Sequence, residues 1–372
     1  MNILINASNL HAGGGVQVAT SFISELSEEK LKPYLYNILV SSIVHKNLQS
    51  INFDKSRFKS YEVYDSIGLV HSLMHSYKKL KGFDVVFSIF GAVYVFPKLK
   101  NHIVGFADPW IAYPKNEVYY KYSNFAKLLV IFKMSIKKFF FLSYDHLIVE
   151  LPHVRIALMK DSLLLNKKIS VVGNAISEIF FEPKDWRPIN LNFKLNADIT
   201  LGFLGRSYEH KNLKILIDVD KILINKYDLS CDFLFTLTEE EMENNKFNEI
   251  PNFYSTGSIT ANQCPNFYGS IDALIFPSLL ECFSVTPLEA MIMKKQVIAS
   301  NRSFIRDVCQ DNAYYFDPLD PYDIASVIYE YFLNINNNSL KIEQAFQHAV
   351  RFLSAGERAQ KYIDIIHIEK TL

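Results

Sequence analysis

In the run Phe276-Pro-Ser-Leu-Leu-Glu-Cys-Phe-Ser-Val-Thr-Pro-Leu-Glu-Ala-Met291 an apolar segment ends, a polar loop opens and a helix begins. Ala273-Leu-Ile-Phe276 predicts a buried strand that leaves its sheet at Pro277. Thr286 and Pro287 offer an N-cap and a first-turn proline, which predicts a helix from Leu288 onward with Glu289 in its first turn. Strand, polar loop and helix N-terminus in that order form an anion site, because free backbone N–H groups converge where the helix dipole is positive. Glu281 in the loop and Glu289 on the helix add two carboxylates that accept hydrogen bonds from sugar hydroxyls. Alone, each reads as an ordinary charge, one a solvated loop residue and the other a complement to the dipole. The rest of the chain has to supply the case.

Upstream lies a second unit of the same kind. The segment 199–204 predicts a strand, Gly205-Arg206-Ser-Tyr-Glu-His-Lys211-Asn212 a polar loop, and 213–226 an amphipathic helix. Arg206 and Lys211 flank the strand end and the helix start. Two cations there would neutralise a diphosphate, Arg through bidentate contacts and Lys as a point charge; a single Arg would read as scattered loop charge. Further strands are expected at 233–237, 252–256 and 296–299, and helices near 239–245, 263–269 and 321–332. The segment 342–366 predicts long helices. No repeat of solenoid period is present.

The first half opens with a β-branched strand at 1–7, then Ser-Asn-Leu-His-Ala-Gly-Gly-Gly-Val16 and a helix expected over 16–26. Gly13, Gly14 and Gly15 lack the later glycine of the dinucleotide fingerprint, which argues against a nicotinamide or flavin site. They allow a ligand close to the backbone, or simply a turn with positive φ. Strands at 36–40, 85–88, 103–106, 146–149 and 169–172, with helical patterns between several of them, argue for a parallel α/β sheet. Two strand ends carry candidate pocket residues: Asp108 and Trp110 in one, His153 in the other, where a helix cap is the plainer reading. From 119 to 141 aromatics mix with Lys121, Lys127, Lys133, Lys137 and Lys138, without one acidic residue. Such a helix suits an anionic membrane surface as well as a core position with lysines extended at its edges. It is too interrupted to cross a bilayer. The irregular run 180–188 reads as a linker.

At 372 residues two domains are expected. A hydrophobic share of 49% and a charged share of 21% fit a packed globular protein. Thirty-nine residues of each sign cancel, so no global field recruits nucleic acid. Four scattered cysteines show no metal-ligand spacing and suit a reducing cytosol. The start reads as a strand, so a signal peptide is not expected.

Arg206, Lys211-Asn212, and Glu281 with Glu289 eight residues later resemble glycosyltransferase family 4. The Gly13–Gly15 loop, Gly173-Asn174-Ala175-Ile176 and Pro277-Ser278 extend the likeness over nearly the whole chain. The resemblance implies an α/β fold of two facing Rossmann-like domains (GT-B architecture), with a C-terminal helix crossing back. The expected divisions are 1–182 on the acceptor side, 183–350 binding the nucleotide sugar, and 351–372 packing on the first domain. By the same resemblance Arg206 and Lys211 hold the donor diphosphate, Glu289 the ribose and Glu281 the transferred sugar. Backbone N–H groups of Cys282, Phe283, Ser284 and Val285 lie near sugar and phosphates, and Gly14 and Gly15 line the cleft. Where relatives carry a histidine in the first domain this chain has Asp108, so Asp108, Trp110 and His153 are the acceptor-side candidates. The usual small residue after the first glutamate is replaced by Cys282.

The resemblance then implies a retaining, metal-independent glycosyltransferase using a UDP- or GDP-linked sugar and no other cofactor. Its acceptor is expected to be a lipid-linked oligosaccharide or growing glycan in O-antigen, capsule or lipopolysaccharide assembly. The enzyme is expected to be cytoplasmic and peripheral on the inner membrane face through 119–141, with no nucleic-acid partner. A sugar-nucleotide 2-epimerase and a non-catalytic assembly scaffold are the competing readings. The first would need further acid–base groups, the second a broken cation pair.

Overall fold

The computed structural model describes residues 2–51 and 53–368. The chain forms two compact units, Met1–Lys115 with Tyr122–Ala175 and Leu353–Leu372, and Asn116–Lys121 with Ile176–Phe352.

The first unit runs β1 (Ile3–Ala7), α1 (Gly14–Leu26), β2 (Tyr36–Val40), α2 (Ser42–Ser50), β3 (Ser60–Val63), α3 (Leu69–Leu80), β4 (Val85–Ser88) and β5 (His102–Phe106). It continues with α4 (Pro109–Ala112), α5 (Asn124–Ser143), β6 (His146–Val149), α6 (Pro152–Met159) and β7 (Lys168–Val171). Its strands join in the order β3-β2-β1-β4-β5-β6-β7. Every pairing is parallel. A parallel sheet is covered on both faces, so its inner strands read as continuous apolar runs, and β1, β2, β4, β5 and β6 are buried throughout. The edge strand β3 is mostly exposed and lacks that signal.

The second unit runs β8 (Ile199–Phe203), α7 (Ile215–Tyr227), β9 (Cys231–Phe235), α8 (Glu239–Asn244), β10 (Phe253–Ser255), α9 (Cys264–Gly269) and β11 (Ala273–Phe276). Then follow α10 (Thr286–Ile292), β12 (Gln296–Ser300), α11 (Ser303–Cys309), β13 (Tyr314–Phe316), α12 (Pro321–Leu333) and α13 (Ser339–Ala349). Its sheet has the order β10-β9-β8-β11-β12-β13 and is again parallel throughout. Both units are therefore Rossmann-like.

The last helix, α14 (Ala355–Ile368), belongs to the first unit and packs on α1. The Tyr362 ring meets Phe22 and Phe87 at 5.2 Å each. The buried Arg358 donates to Asn174 and, at 2.8 Å, to Ser21 Oγ. The expected return of this helix is thus what the fold shows.

The division falls between Ala175 and Ile176, ahead of the 182/183 boundary expected. Phe180 packs on Tyr268 and Arg187 N donates to Asn262 O at 2.8 Å, which draws this stretch into the second unit. A second departure is Asn116–Lys121, which is assigned to the second unit although its sequence neighbours lie in the first.

Candidate active site

In each sheet the strand order reverses at one point, and connections from the two strands there leave in opposite directions. Ligands of open α/β sheets bind at the carboxyl ends of such a strand pair. In the second unit the pair is β8 and β11, and the loops that leave them carry the two cations and Glu281.

The loop after β8 is tied down at several points. Gly205 N donates to Thr236 Oγ1 at 3.0 Å. Asn212 is buried in the left-handed region at φ 60°, which a short amide side chain tolerates. Its amide donates to Pro318 O at 2.7 Å, and Lys121 Nζ reaches its Oδ1 at 2.5 Å. The neighbouring residue, Lys211, is thereby aimed inward. Its Nζ lies 2.5 Å from Glu281 Oε1, with both side chains largely buried, and 5.3 Å from the centre of the Phe276 ring. A backbone bond from Leu279 N to His210 O, at 2.7 Å, clips the same two loops together. Burial pushes the His210 imidazole down to about 4, so it stands neutral beside the pair at physiological pH.

Arg206 does not join that pair through any described contact. Its side chain is 55% exposed and its Nε donates to Glu241 Oε1 at 2.8 Å. Glu241 in turn closes the capping box of α8 with Thr238 and accepts from Ser207 N at 2.9 Å. The contact engages Nε, and among the described residues no bond occupies the guanidinium amino groups on Arg206. Those groups are the fork that fits phosphate oxygens.

The predicted N-cap shifts by one turn position. Val285 caps α10, Thr286 is its first residue and Pro287 its second. Thr286 bonds sideways to Ser284 Oγ at 3.1 Å instead of capping. Glu289 remains near the start of the helix, with Tyr268 Oη 3.0 Å from its Oε2 and 3.1 Å from Thr286 O. Burial raises the Glu289 carboxyl to about 7, against the lowering effect of the Tyr268 bond. Between the two glutamates Cys282 is buried, and Phe283, Ser284 and Val285 are half-buried.

In the first unit the reversal falls between β1 and β4. Asn9 Nδ2 donates to Phe90 O at 2.8 Å and joins the loops after those strands. Gly13 caps α1 at φ 71°, which accounts for one glycine as a conformational need. Gly15 packs on Leu10 and Phe90, whereas a Cβ on Gly14 would meet no atom within 4 Å. Asp108 is buried; its Oδ2 receives Lys137 Nζ at 2.8 Å, and its Oδ1 has no hydrogen-bond partner among the described residues. Trp110 packs on Tyr122 at 6.0 Å and His153 stacks on Tyr113 at 6.1 Å. The contacts of α4 with α5 and α6 bring these three candidates into one neighbourhood of the first unit.

The site expected from sequence does not include Glu241, Tyr268 and His210. The capping-box spacing from Thr238 to Glu241 was a legible signal for the first. Nothing local marks Tyr268. Among the described residues no group of three or more His, Cys, Asp or Glu could hold a metal. No described helix is long and apolar enough to cross a membrane.

Residues 198–334 match the family model described as glycosyl transferases group 1. The chain is 24% identical over 231 residues to the O-antigen chain mannosyltransferase RfbU of Salmonella typhimurium, covering 60% of this chain and 59% of that protein. The match thus spans less than two thirds of that relative's length. Among solved structures, sucrose-phosphate synthase from Thermosynechococcus elongatus is 12% identical, with a TM-score of 0.70, covering 100% of this chain and 99% of that one. A glycosyltransferase from Rickettsia africae is 18% identical with a TM-score of 0.66, covering 99% and 98%. Anabaena HepE, solved with UDP and glucose, is 12% identical with a TM-score of 0.66, covering 98% and 99%. The second unit thus carries a glycosyl transferases group 1 domain, and the two Rossmann-like units have the GT-B fold.

Proposed function

We propose that this chain is a retaining glycosyltransferase. It moves a sugar from a UDP- or GDP-linked donor to a lipid-linked oligosaccharide or growing glycan in cell-surface polysaccharide assembly, at the inner face of the cytoplasmic membrane. The observation that carries the reading is the Lys211–Glu281 pair, held where the loops of β8 and β11 meet inside the group 1 domain. The likeness to RfbU supports a glycan acceptor, and the UDP and glucose in the HepE structure support the donor class.

Cleaving a sugar–phosphate bond builds positive character on the sugar and negative charge on the departing diphosphate. Lys211 and the free amino groups on Arg206 stabilise that charge as it develops, which lowers the barrier without help from a metal ion. Glu281, held by Lys211, accepts hydrogen bonds from the transferred sugar. Glu289, held by Tyr268, accepts from the ribose hydroxyls. Backbone N–H groups of Cys282, Phe283, Ser284 and Val285 face the phosphates. In the first unit Gly14 leaves room for a ligand against the backbone, and Asp108, Trp110 and His153 serve the acceptor. Retention follows front-face attack, with the leaving phosphate helping to deprotonate the acceptor hydroxyl.

The test is a thermal-shift screen of UDP, GDP and dTDP sugars, followed by nucleoside diphosphate release in the presence of membrane lipid extract. One donor family should raise the melting temperature of the wild type, because binding stabilises the fold by mass action. Glu281→Ala should release the nucleotide no faster than a blank. Release at the wild-type rate by Glu281→Ala would sink the assignment, and conversion of the donor to its 2-epimer would establish the epimerase reading.

A further inference from the structure

The 20-residue helix α5 turns an apolar stripe to solvent. Phe125, Phe132 and Phe139 recur every seventh residue and are 72%, 66% and 63% exposed. Leu128 and Leu129 fill the stripe between the first two and are exposed as well. At 100° per residue these five side chains fall within about one third of the helix circumference. The opposite face holds the helix to the first unit: Phe141 is buried, Lys137 pairs with Asp108, and Lys138 pairs with Asp161, while Phe140 beside the stripe's end is buried as well. That last pair ties α5 to the turn after α6, which exposes Leu163 and Leu165 in its turn. A contiguous exposed apolar surface of this kind marks an interaction site.

Charge decides between the partners that would cover it. From 118 to 177 the acidic residues are Asp145, Glu150 and Asp161. Each is engaged, with Lys98, Asn174 and Lys138 respectively. Lys133, Arg155 and Lys160 remain exposed on α5 and α6 or beside them. A second copy laid stripe against stripe would bring like charges together with no carboxylate of 118–177 left unpaired between them. An anionic bilayer offers the opposite sign and an apolar interior.

We infer that the first unit docks on an anionic lipid surface through α5, which lies flat at the interface. Phe125, Leu128, Leu129, Phe132 and Phe139 enter the headgroup–acyl boundary, and Lys133, Arg155 and Lys160 contact the headgroups. This deepens the reading of a membrane-borne acceptor, but it stands on α5 and needs no assumption about the donor.

The test floats the full chain with vesicles of phosphatidylcholine, alone or with about one third phosphatidylglycerol. Wild type should rise with the anionic vesicles, less so as salt shortens the screening length. The triple variant Phe125→Ser, Phe132→Ser, Phe139→Ser should lose at least about tenfold in partitioning and keep its melting temperature, since exposed side chains are removed. Lys133→Glu should weaken binding to the anionic vesicles alone. The inference is overturned if wild type stays with the soluble fraction, or if the triple variant floats like wild type. It is equally overturned if light scattering shows a dimer that the triple variant breaks while vesicles capture neither. Nucleotide thermal shifts on the triple variant report separately on the donor site, so failure here and failure of the transferase reading are distinguishable.

Discussion

Glu289 is asked to be two things. Burial favours its protonated form in the free protein, and in the donor complex the ribose hydroxyls need a carboxylate to donate to. A carboxyl raised from the usual value to about 7 contributes stability that is full below about 4.5 and is lost as pH rises through 7. The unbound protein should therefore melt lower on passing through that window. Glu289→Gln, a fixed mimic of the protonated form, should flatten the decline, as scanning calorimetry across the range would read. Donor binding runs the other way: affinity should rise with pH through about 7 and binding should release a proton, detectable as a buffer-dependent heat. A pH-independent affinity would remove Glu289 from the ribose.

Lys211 offers the complementary experiment. Removing it leaves Glu281 buried without its cation, so Lys211→Ala should cost about 1–3 kcal/mol of stability. Adding Glu281→Gln should recover most of that loss. Turnover in the double variant should stay down by about a hundredfold or more, because the charge that meets the diphosphate is gone. Recovery of both together would make the pair structural.

At the scale of elements, α14 shows how a motif can serve the frame. The turn at Gly173-Asn174 is one of the motifs that carry the family likeness in the sequence, and Asn174 is clasped between Arg358 and Glu150 while Ala175 bridges to Leu353. Tyr362, buried against Phe22 and Phe87, should cost about 3–5 kcal/mol as Tyr362→Ala, measured by denaturant unfolding of the first unit. Strands buried on both faces were legible for the same reason that they are stable: β2, β4, β6 and β11 are buried without a break and are mostly apolar, with a single polar residue, Asn37, Ser88 or His146, in each of the first three. The edge strand β3 was not, since its exposed positions break the apolar run, and β13, at three residues, is too short for a run to stand out. The N-cap of α10 slipped because Ser284 and Thr286 satisfy each other's hydroxyls, a pairing that local capping rules do not weigh. In the site, residue types and order were readable, so the cation and carboxylate candidates stood out. Which of them meet was not: Lys211 found Glu281, whereas Arg206 found Glu241, a residue that its own loop does not contain.

For the molecule as a whole, the decisive element is the short segment Asn116–Lys121. Its sequence neighbours on both sides belong to the first unit, but its own bonds belong to the second. Glu117 accepts three bonds from the Arg302 guanidinium, at 2.9 to 3.1 Å, and Lys121 holds the Asn212 that aims Lys211. The strap therefore shares the stability of the unit that carries the proposed donor groups. A nucleoside diphosphate at a hundred times its dissociation constant stabilises its binding unit by about 2.7 kcal/mol. Hydrogen exchange with and without UDP or GDP should then show protection in the loops after β8 and β11 and in 116–121 alike. The flanking α5 and α4, in the first unit, should change less. Arg302→Ala should uncouple the strap, so that 116–121 exchanges faster in the bound protein while the β8 and β11 loops keep their protection. If the strap instead follows α5 in both states, its bonds to Arg302 and Asn212 do not govern it, and the aim of Lys211 has to come from Pro318 alone.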